Sequence, residues 1–382
     1  MIHLINQDYL TEILGHLIAI PSPTGMTDDI VRTVCDELDT LDIPYELTRR
    51  GAIRAHLGGI DPKPRRALVA HLDTLGAMVR RLKDNGRLAI VPIGTWSARF
   101  AEGARVTIHC DHGLTYQGTI LPLKASGHRY NEEVDRQPTA WSNLEIRVDE
   151  CCSSIEALWD LGIRVGDYVS ITTTMEVSGS GFINSRFLDD KAGVAAILAA
   201  ARALRDHNCP VRLDCSLLFT ISEEVGVGAS HVLRGNVAEM VSVDNGIIAP
   251  EQNSSEFGAT IAMQDSSGPY DRHLTNHLIR LCMEQEIFFS RDIFLHYHSD
   301  AAAALEAGND IRTALVCFAL DASHGYERTH LRSLTSVAGL IAAYLTSAPL
   351  FAQDKNVIGP ESSYPMICQP APDKTPGSSV GS

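Results

Sequence analysis

The first 74 residues alternate between helix-like and strand-like patterns of apolar residues. Two stretches at helical spacing, MIHLINQDYLTEILGHLIAI and DDIVRTVCDELDTL, are separated by the helix-breaking residues Pro21, Pro23 and Gly25. The short strand signals YELTR, IRAHL and RALVAHLD follow. Helices that alternate with strands in this way predict an α/β fold, with a mixed or parallel central sheet flanked by helices.

From residue 75 to residue 173 the pattern changes. Short β-rich pieces such as RLAIVPI, ARVTIHC, YQGTILPL and LEIRVD are separated by Gly, Asn and Asp turns, with little helical periodicity. The α/β pattern then resumes with the helix KAGVAAILAAARAL, the buried strand LDCSLLFTIS, the helix-like ASHVLRG and the strand MVSVD. We therefore predict a β-rich domain, residues 75–173, inserted into a split domain formed by residues 1–74 and 174–351.

The C-terminal part of the chain is predicted to contain one more helix and a tail. The stretch SLTSVAGLIAAYL has helical periodicity, and residues 352–382 are rich in Pro, Ser and Gly. Such a composition contributes too little apolar surface to join a core. The tail is predicted to be disordered.

Composition restricts the class of protein. Apolar residues make up 45% of the chain and charged residues 21%, which are ordinary values for a globular protein. The net charge of −15 argues against nucleic acid or an anionic membrane as the main partner. The N-terminal stretch is predicted to be a helix and not a signal peptide, and no apolar stretch is long enough to span a membrane. Nine cysteines without a recurring spacing predict reduced thiols in a cytoplasm.

Acidic and imidazole side chains recur where the predicted strands end. They are His71 and Asp73 in AHLD, Asp189 and Asp190 in FLDDKAG, Glu223 and Glu224 in ISEEVG, Asp244 in SVDNG, and His324 in DASHGYE. Ligands of open α/β sheets bind beside the carboxyl ends of strands, so these side chains are expected to meet in one crevice. Carboxylates that crowd together stay ionised only beside a cation, and two ions would remove the conflict. Oxygen and nitrogen ligands without thiolates suit zinc, cobalt or manganese.

Each motif alone also has a structural explanation. Asp190 or Asp244 could cap a helix, and His71 could be a hydrogen-bonded core histidine. Glu223 and Glu224 could be two solvated residues in the first turn of a helix, stabilised there by the helix dipole. The recurrence of five such sites after apolar strands favours a shared metal centre over these separate explanations.

The motif order His-x-Asp, Asp-Asp-x-x-Gly, Glu-Glu, Asp, His resembles that of the co-catalytic metallopeptidases that include glutamyl aminopeptidase, deblocking aminopeptidase and the tetrahedral aminopeptidases. The strings AHLDTLG, LDDKAGVAA and EEVGVGA, and an insertion directly after His-x-Asp, carry the resemblance over residues 8 to 348. It implies a zinc-peptidase type of α/β fold with an inserted small β-barrel-like domain. It also implies aminopeptidase action on short peptides. Relatives form dimers through the insert and gather into dodecamers, so a homo-oligomer is expected.

The resemblance also implies a role for each motif residue. Glu223 would be the general base that takes a proton from the attacking water and delivers it to the leaving amine. Asp73 would accept the second ring N–H of His71 and fix its tautomer. The implied metal ligands are His71 and Asp244 for one ion, Glu224 and His324 for the other, and Asp189 as the bridge. Four positions near these ligands depart from the family pattern: Thr74, Lys191, Ser222 and Gly325.

The substrate is less narrowly defined by the sequence. The segments AMQDSSGPYDRHL and HYHSDAAAAL resemble a bacterial subgroup associated with the osmolyte N-acetylglutaminylglutamine amide. Within HYHSD, Asp300 is expected near the substrate, and His298 shares one face of an extended segment with His296. The leading hypothesis is that the protein is an aminopeptidase. A dedicated peptidase or amidohydrolase of acylated-dipeptide osmolyte metabolism and a non-catalytic metal-binding scaffold are the alternatives, and Glu223 argues against the scaffold.

Overall fold

The computed structural model describes residues 1–351, so the predicted tail lies outside the described residues. The α-helices are α1 Gln7–Ala19, α2 Asp28–Thr40, α3 Ala98–Ala101, α4 Gly127–Tyr130, α5 Ile155–Asp160, α6 Leu188–Asp206, α7 Arg272–Glu284, α8 Asp300–Glu306 and α9 Leu331–Thr346. The strands are β1 Tyr45–Leu47, β2 Ile53–Leu57, β3 Asp61–His71, β4 Gly76–Leu82, β5 Arg87–Ile93, β6 Arg105–His109, β7 Thr115–Pro122, β8 Leu144–Val148, β9 Tyr168–Ile171, β10 Glu176–Val177, β11 Phe182–Ser185, β12 Leu213–Thr220, β13 Val237–Ile248, β14 Ala259–Asp265, β15 Gly268–Pro269, β16 Phe289–Ile293, β17 Arg312–Asp321 and β18 Glu327–His330.

Twelve strands form one mixed sheet, which confirms the predicted fold class. The main path runs β1-β2-β12-β3-β13-β17-β18-β11-β10, and β14 joins it through β17 and also pairs with β15 and β16. Strands β12, β3, β13 and β17 are mutually parallel at the centre. Their residues are apolar in continuous runs, such as Ala67 to Ala70 in β3, all of them buried. Continuous apolar runs are typical of parallel strands covered on both faces.

The long helices α6, α9 and α1 pack on one another and on the sheet. Helix α6 is Ala-rich and almost wholly buried, so its backbone approaches its neighbours closely. Lys191 is fully buried in α6 and donates from Nζ to the carbonyl oxygens of Leu17, at 2.8 Å, and Ile20, at 2.6 Å. These carbonyls belong to the end of α1, where orphan acceptors need partners. Lys191 therefore ties the end of α1 to the start of α6.

The inserted region forms a closed barrel of six strands in the order β4-β5-β8-β7-β6-β9. Every neighbouring pair of these strands is antiparallel. The barrel has its own apolar core, which is distinct from the core around the mixed sheet. Val106 and Ile108 on β6 point inward, as do Val169 and Ile171 on β9. This alternation is what the strand-like pattern predicted.

The structure differs from the pattern-based prediction in two elements of the main domain. The segment ASHVLRG is not an α-helix, because only a short 3-10 helix, Gly228–His231, forms there. The strand predicted to end at Asp244 continues to Ile248. Within residues 1–351, no helix is both long enough and apolar enough to cross a membrane.

Candidate active site

The carboxyl ends of the central parallel strands bring the predicted motifs together. His71 ends β3 and pairs in register with Thr220, which ends β12 and precedes Glu223 by three residues. Strand β13 is parallel to β3 with Ser242 opposite Val69, so Asp244 lies level with His71. His324 follows β17, the next strand along the sheet. The crevice that the sequence predicted is therefore formed at this edge.

Asp189 lies at the centre of the site, with one histidine facing each of its carboxylate oxygens. His71 Nε2 is 3.2 Å from Oδ1, and His324 Nε2 is 3.4 Å from Oδ2. The carboxylate is buried, and burial acts to raise its pKa. The hydrogen bonds from His324 and His71 outweigh burial, so the pKa of Asp189 is held well below its usual value. A buried carboxylate that stays ionised between two imidazoles has the geometry of a bridging ligand.

Asp73 supports the site through its backbone as well as its side chain. His71 Nδ1 donates to the backbone carbonyl of Asp73 at 2.9 Å, whereas the Asp73 carboxylate is 3.6 Å away. This differs from the expectation that the carboxylate would accept that proton. The carboxylate instead accepts from the backbone N–H groups of Glu223 and Glu224, at 3.1 and 3.3 Å, and from Thr24 Oγ1. Asp73 therefore fixes both the His71 tautomer and the turn that carries the glutamate pair.

The carboxyl groups around Asp189 are crowded and buried. Burial, followed by the charge of Asp189, raises the pKa of Glu224 to about 8 and that of Asp244 to about 7. Burial also raises the pKa of Glu223 well above its usual value, although His71, 3.7 Å away, acts in the opposite direction. Carboxylates this close oppose one another's ionisation, and a nearby cation removes that opposition.

His324 is held in place by groups from two parts of the chain. Its Nδ1 donates to the backbone carbonyl of Thr95 at 2.8 Å, so Nε2 is left to face Asp189 and, at 3.9 Å, Glu224. Although burial acts to lower the pKa of the ring, the hydrogen bond to Asp189 and the charge of Glu224 raise it to about 10. Thr95 belongs to the barrel, so the inserted domain reaches the site.

Two polar residues of the site were missed by the sequence analysis. Asn245 donates from Nδ2 to Asp189 Oδ2 at 2.9 Å and to Asp244 Oδ1 at 3.1 Å. Buried Glu327 accepts from the backbone N–H of His324 at 3.1 Å and from that of Asp189 at 3.2 Å. Both lie within three residues of a predicted ligand, but spacing alone gave no signal for either.

The motif residues open into a cavity of about 760 Å³. Asp189, Glu223, Glu224, Asp244 and His324 line it on the sheet side. His296, Tyr297 and His298 all line it, and the Tyr297 hydroxyl donates to the carbonyl of Asn245 at 2.5 Å. The two histidines therefore border the same cavity, together with the tyrosine between them.

Asp300, which was expected near the substrate, is not among the residues that line this cavity. Its side chain is buried, accepts from Thr220 Oγ1 at 2.7 Å and from the backbone N–H of Ala229 at 2.6 Å, and starts helix α8. Both oxygens are occupied by these bonds. In the structure Asp300 anchors the loop after the glutamate pair, and this loop contact replaces the helix predicted for ASHVLRG.

The donor set fits a divalent cation. The nearest donor atoms of His71, Asp189 and Asp244 lie within 4.8 Å of one another, and all three residues are buried. On the other side of Asp189 lie His324 and Glu224. All five donors are nitrogen or oxygen, and no cysteine is among the residues lining the cavity in the described part of the chain. This combination suits zinc, cobalt or manganese.

Comparison with known proteins also identifies a family of metal-dependent aminopeptidases. A family model described as M42 glutamyl aminopeptidase matches residues 51–340. The protein YhfE of Bacillus subtilis (strain 168), named as a candidate aminopeptidase, is 37% identical over 336 residues, which are 88% of this chain and 97% of YhfE.

Two solved archaeal structures share the fold. The aminopeptidase APDkam598 of Desulfurococcus kamchatkensis has a TM-score of 0.82 at 21% identity, covering 95% of this chain and 99% of its own. The TET1 peptidase of Pyrococcus horikoshii, which can assemble into a tetrahedron or a large octahedral shell, has a TM-score of 0.78 at 22% identity, covering 89% and 100%.

Proposed function

Because this chain belongs to the M42 glutamyl aminopeptidase family and is a metal-dependent peptide hydrolase, we propose that it holds two divalent ions and removes N-terminal residues from short peptides. The observation that carries the proposal is the position of Asp189, with His71 facing one carboxylate oxygen and His324 facing the other. The remaining terminal ligands are Asp244 beside His71 and Glu224 beside His324. Zinc is the ion we expect, because the donors are nitrogen and oxygen.

When bound, the ions would polarise the scissile carbonyl and lower the pKa of the attacking water. The chain's own residues then handle the proton. Glu223 faces the cavity with its carboxylate 3.7 Å from His71 Nε2, beside the proposed ligands, so it is placed to take a proton from that water and return it to the leaving amine. Asp73 holds the backbone of Glu223, and thereby the position of its carboxylate.

The cavity suits a short peptide. Its volume of about 760 Å³ exceeds what the ions need, and it adjoins a second cavity of about 520 Å³ with which it shares Ile247 and His296. His296 and His298 line the cavity and offer hydrogen bonds to a substrate, and His298 remains our proposed substrate contact. The eight cysteines of residues 1–351 are free thiols, which suits a reducing cytoplasm, and we propose that location.

The proposal is tested by comparing two neighbouring variants. Glu223→Gln should keep both ions and the fold but lose the proton transfer, a step worth about 10²–10⁴-fold in rate. Glu224→Gln should lose metal as well as rate, because its charge holds an ion. The measurements are metal content per chain and turnover of dipeptides with free and N-acetylated amino ends and of dipeptide amides, with zinc, cobalt or manganese.

The outcomes separate the candidate functions. Metal loss in Glu223→Gln would mean that the base and the ligand have been exchanged. Near-normal turnover in that variant would rule out its catalytic role. Wild-type cleavage confined to the N-acetylated dipeptides would replace the aminopeptidase proposal with the acylated-dipeptide hydrolase. Bound metal without any hydrolysis would leave the metal-binding scaffold.

A further inference from the structure

One stretch of the barrel, residues 94–100, lies beside the metal centre. It follows strand β5 and runs into the short helix α3. Gly94 and Thr95 line the same cavity as the predicted ligands. We call residues 94–100 the barrel edge segment.

The first contact of the barrel edge segment is with Glu224. Gly94 has a φ of +78°, in the left-handed region, and a Cβ built on it would lie 2.6 Å from Leu75 Cδ2, 3.4 Å from the carbonyl oxygen of Glu224 and 3.5 Å from the Cβ of Glu224. The space beside Gly94 that a side chain would fill is therefore bordered by Glu224.

The second contact is with His324. The carbonyl of Thr95 accepts the proton of His324 Nδ1 at 2.8 Å. A hydrogen bond at one ring nitrogen orients the imidazole and leaves the other nitrogen free to bind a cation. The carbonyl belongs to the barrel, so the orientation of a predicted ligand of the main domain depends on the insert.

The third contact is with the loop that carries His324. Ala322 and His324 have φ values of +59° and +63°, which non-glycine residues adopt rarely and only when their surroundings hold them. A Cβ built on the next residue, Gly325, would lie 3.0 Å from the Phe100 ring and 2.9 Å from the carbonyl of Ala322. Glycine at 325 thus lets Phe100 pack onto this loop, which gives a physical reason for the departure from the family pattern there.

The backbone of Phe100 also contacts the segment that precedes the proposed bridging ligand, Asp189. The carbonyl of Phe100 accepts from Arg186 Nη2 at 2.7 Å, three residues before Asp189. The opposite half of the site has no such contact among the hydrogen bonds of residues 1–351. There, His71 is oriented by the carbonyl of Asp73, and Asp244 accepts from Asn245, all within the main domain.

We infer that the barrel edge segment positions Glu224 and His324, so that one half of the metal centre is completed across the domain boundary while the His71 and Asp244 half is not. The inference rests on the proposed two-ion function. It assigns the inserted domain a role in ion affinity that is separate from any role in assembly. Thr95 and Phe100 act through His324 and its loop, and are positioning residues.

The test is a zinc titration of metal-stripped protein. Binding is measured by calorimetry or by competition with a chromophoric chelator. The variant is Phe100→Ala, which removes the ring that packs on Gly325. Wild-type protein should bind two ions. In the variant one site should keep its affinity, and the other should weaken by about tenfold or more, the range seen when groups that orient metal ligands are removed.

Ile155→Ala is the matched control. Ile155 begins helix α5 of the barrel, and none of the hydrogen bonds of residues 1–351 joins α5 to the barrel edge segment. Ile155 is 36% exposed, against 37% for Phe100, so the two changes remove apolar groups of similar exposure. The control should bind both ions as the wild type does. In Gly325→Ala the added methyl group would clash with the Phe100 ring. This variant should weaken the same ion site as Phe100→Ala, so the test does not depend on the folding of one variant.

The results distinguish failure of the inference from failure of the proposed function. Two unchanged sites in both Phe100→Ala and Gly325→Ala would overturn the inference and leave the two-ion function intact. Equal weakening of both sites would also overturn it, since the barrel would then act on general stability. A single ion in the wild type would contradict the two-ion function itself, and the inference with it.

Discussion

At the scale of single residues, Glu327 supports two proposed ligands without being one itself. It is buried, and its two oxygens accept the backbone N–H groups of His324 and Asp189, so it links the proposed terminal ligand to the proposed bridge. Burial and the charge of Asp189 raise its pKa to about 8. The sequence could not reveal this role, because Asp189 lies 138 positions earlier in the chain.

The change Glu327→Gln should lower metal affinity by about 10–100-fold, as removal of groups behind a ligand usually does. The glutamine side chain has one acceptor oxygen where glutamate has two, so one of the two backbone N–H groups would face the NH₂ group, which is itself a donor. Asp292→Asn is the control, because Asp292 is also buried and accepts from backbone N–H groups, those of Asn253, Ser254 and Ile293. Metal titration of both variants, with urea unfolding, checks this. Equal metal affinity in the two would contradict a role of Glu327 at the ions.

The sequence could predict which ligand candidates lie together, but it could not predict the positions of the residues that support them. His71, Glu224 and His324 follow apolar strands, and parallel strands bring their carboxyl ends to one edge, so their meeting could be foreseen. Asp300 could not be placed in this way. It belongs to the segment HYHSD, of which the first three residues line the cavity and Asp300 does not, and its orientation is set by Thr220 and Ala229.

At the scale of elements, long periodic stretches were predicted and short ones were not. Helices α6 and α9 and strands β3 and β12 carry continuous patterns, and all four formed where expected. Strands β10 and β15 have two residues each, too few to show a period. The segment ASHVLRG has a helical pattern, but the bond from Ala229 to Asp300 fixes it as a loop, so a tertiary contact overrides local preference.

Helix α7 carries a histidine whose titration should be visible in stability. His277 is buried, donates from Nε2 to Ser347 and accepts at Nδ1 from Arg280. Burial, followed by the positive charges of Arg66 and Arg280, lowers its pKa to about 3. The unfolded chain therefore binds a proton below about pH 6.5 that the folded chain does not, and this group's share of stability is lost as the pH falls.

The variant His277→Gln should flatten that pH dependence. Between pH 7 and pH 5 the wild type should lose about 2 kcal/mol more unfolding free energy than the variant, from the difference between the two pKa values. At pH 7 the glutamine can still donate to Ser347, so the comparison is made on slopes and not on absolute stability. Urea unfolding at several pH values is the measurement. Parallel curves for the two proteins would show that His277 is protonated in the folded state as readily as in the unfolded one.

At the scale of the whole molecule, charge is unevenly divided between the two domains. Residues 75–173 contain 11 basic and 12 acidic residues, whereas the rest of the chain contains 21 basic and 35 acidic ones. The net charge of −15 is therefore carried almost wholly outside the barrel. Two copies of the chain repel each other least where their barrels meet.

The barrel also exposes apolar side chains. Leu114, Trp159 and Val165 are 49, 56 and 65% exposed. Gly162, in the turn after Trp159, lies beside Leu114, since a Cβ built on it would be 3.5 Å from Leu114 Cδ1. Exposed apolar groups clustered on a nearly neutral surface are typical of a contact between subunits. We therefore expect this chain to self-associate through the surface around Trp159.

The change Trp159→Glu should convert the assembly into smaller species, because a buried unpaired charge and the loss of a large aromatic contact both oppose association. Phe288→Glu is the control, since Phe288 is 60% exposed but lies on the main domain. Light scattering coupled to gel filtration gives the mass of each species. A wild-type mass of one chain would refute self-association outright, and an unchanged oligomer in Trp159→Glu would place the contact elsewhere. If Phe288→Glu alone dissociated, the interface would lie on the main domain, and the near-neutral barrel surface would need another explanation.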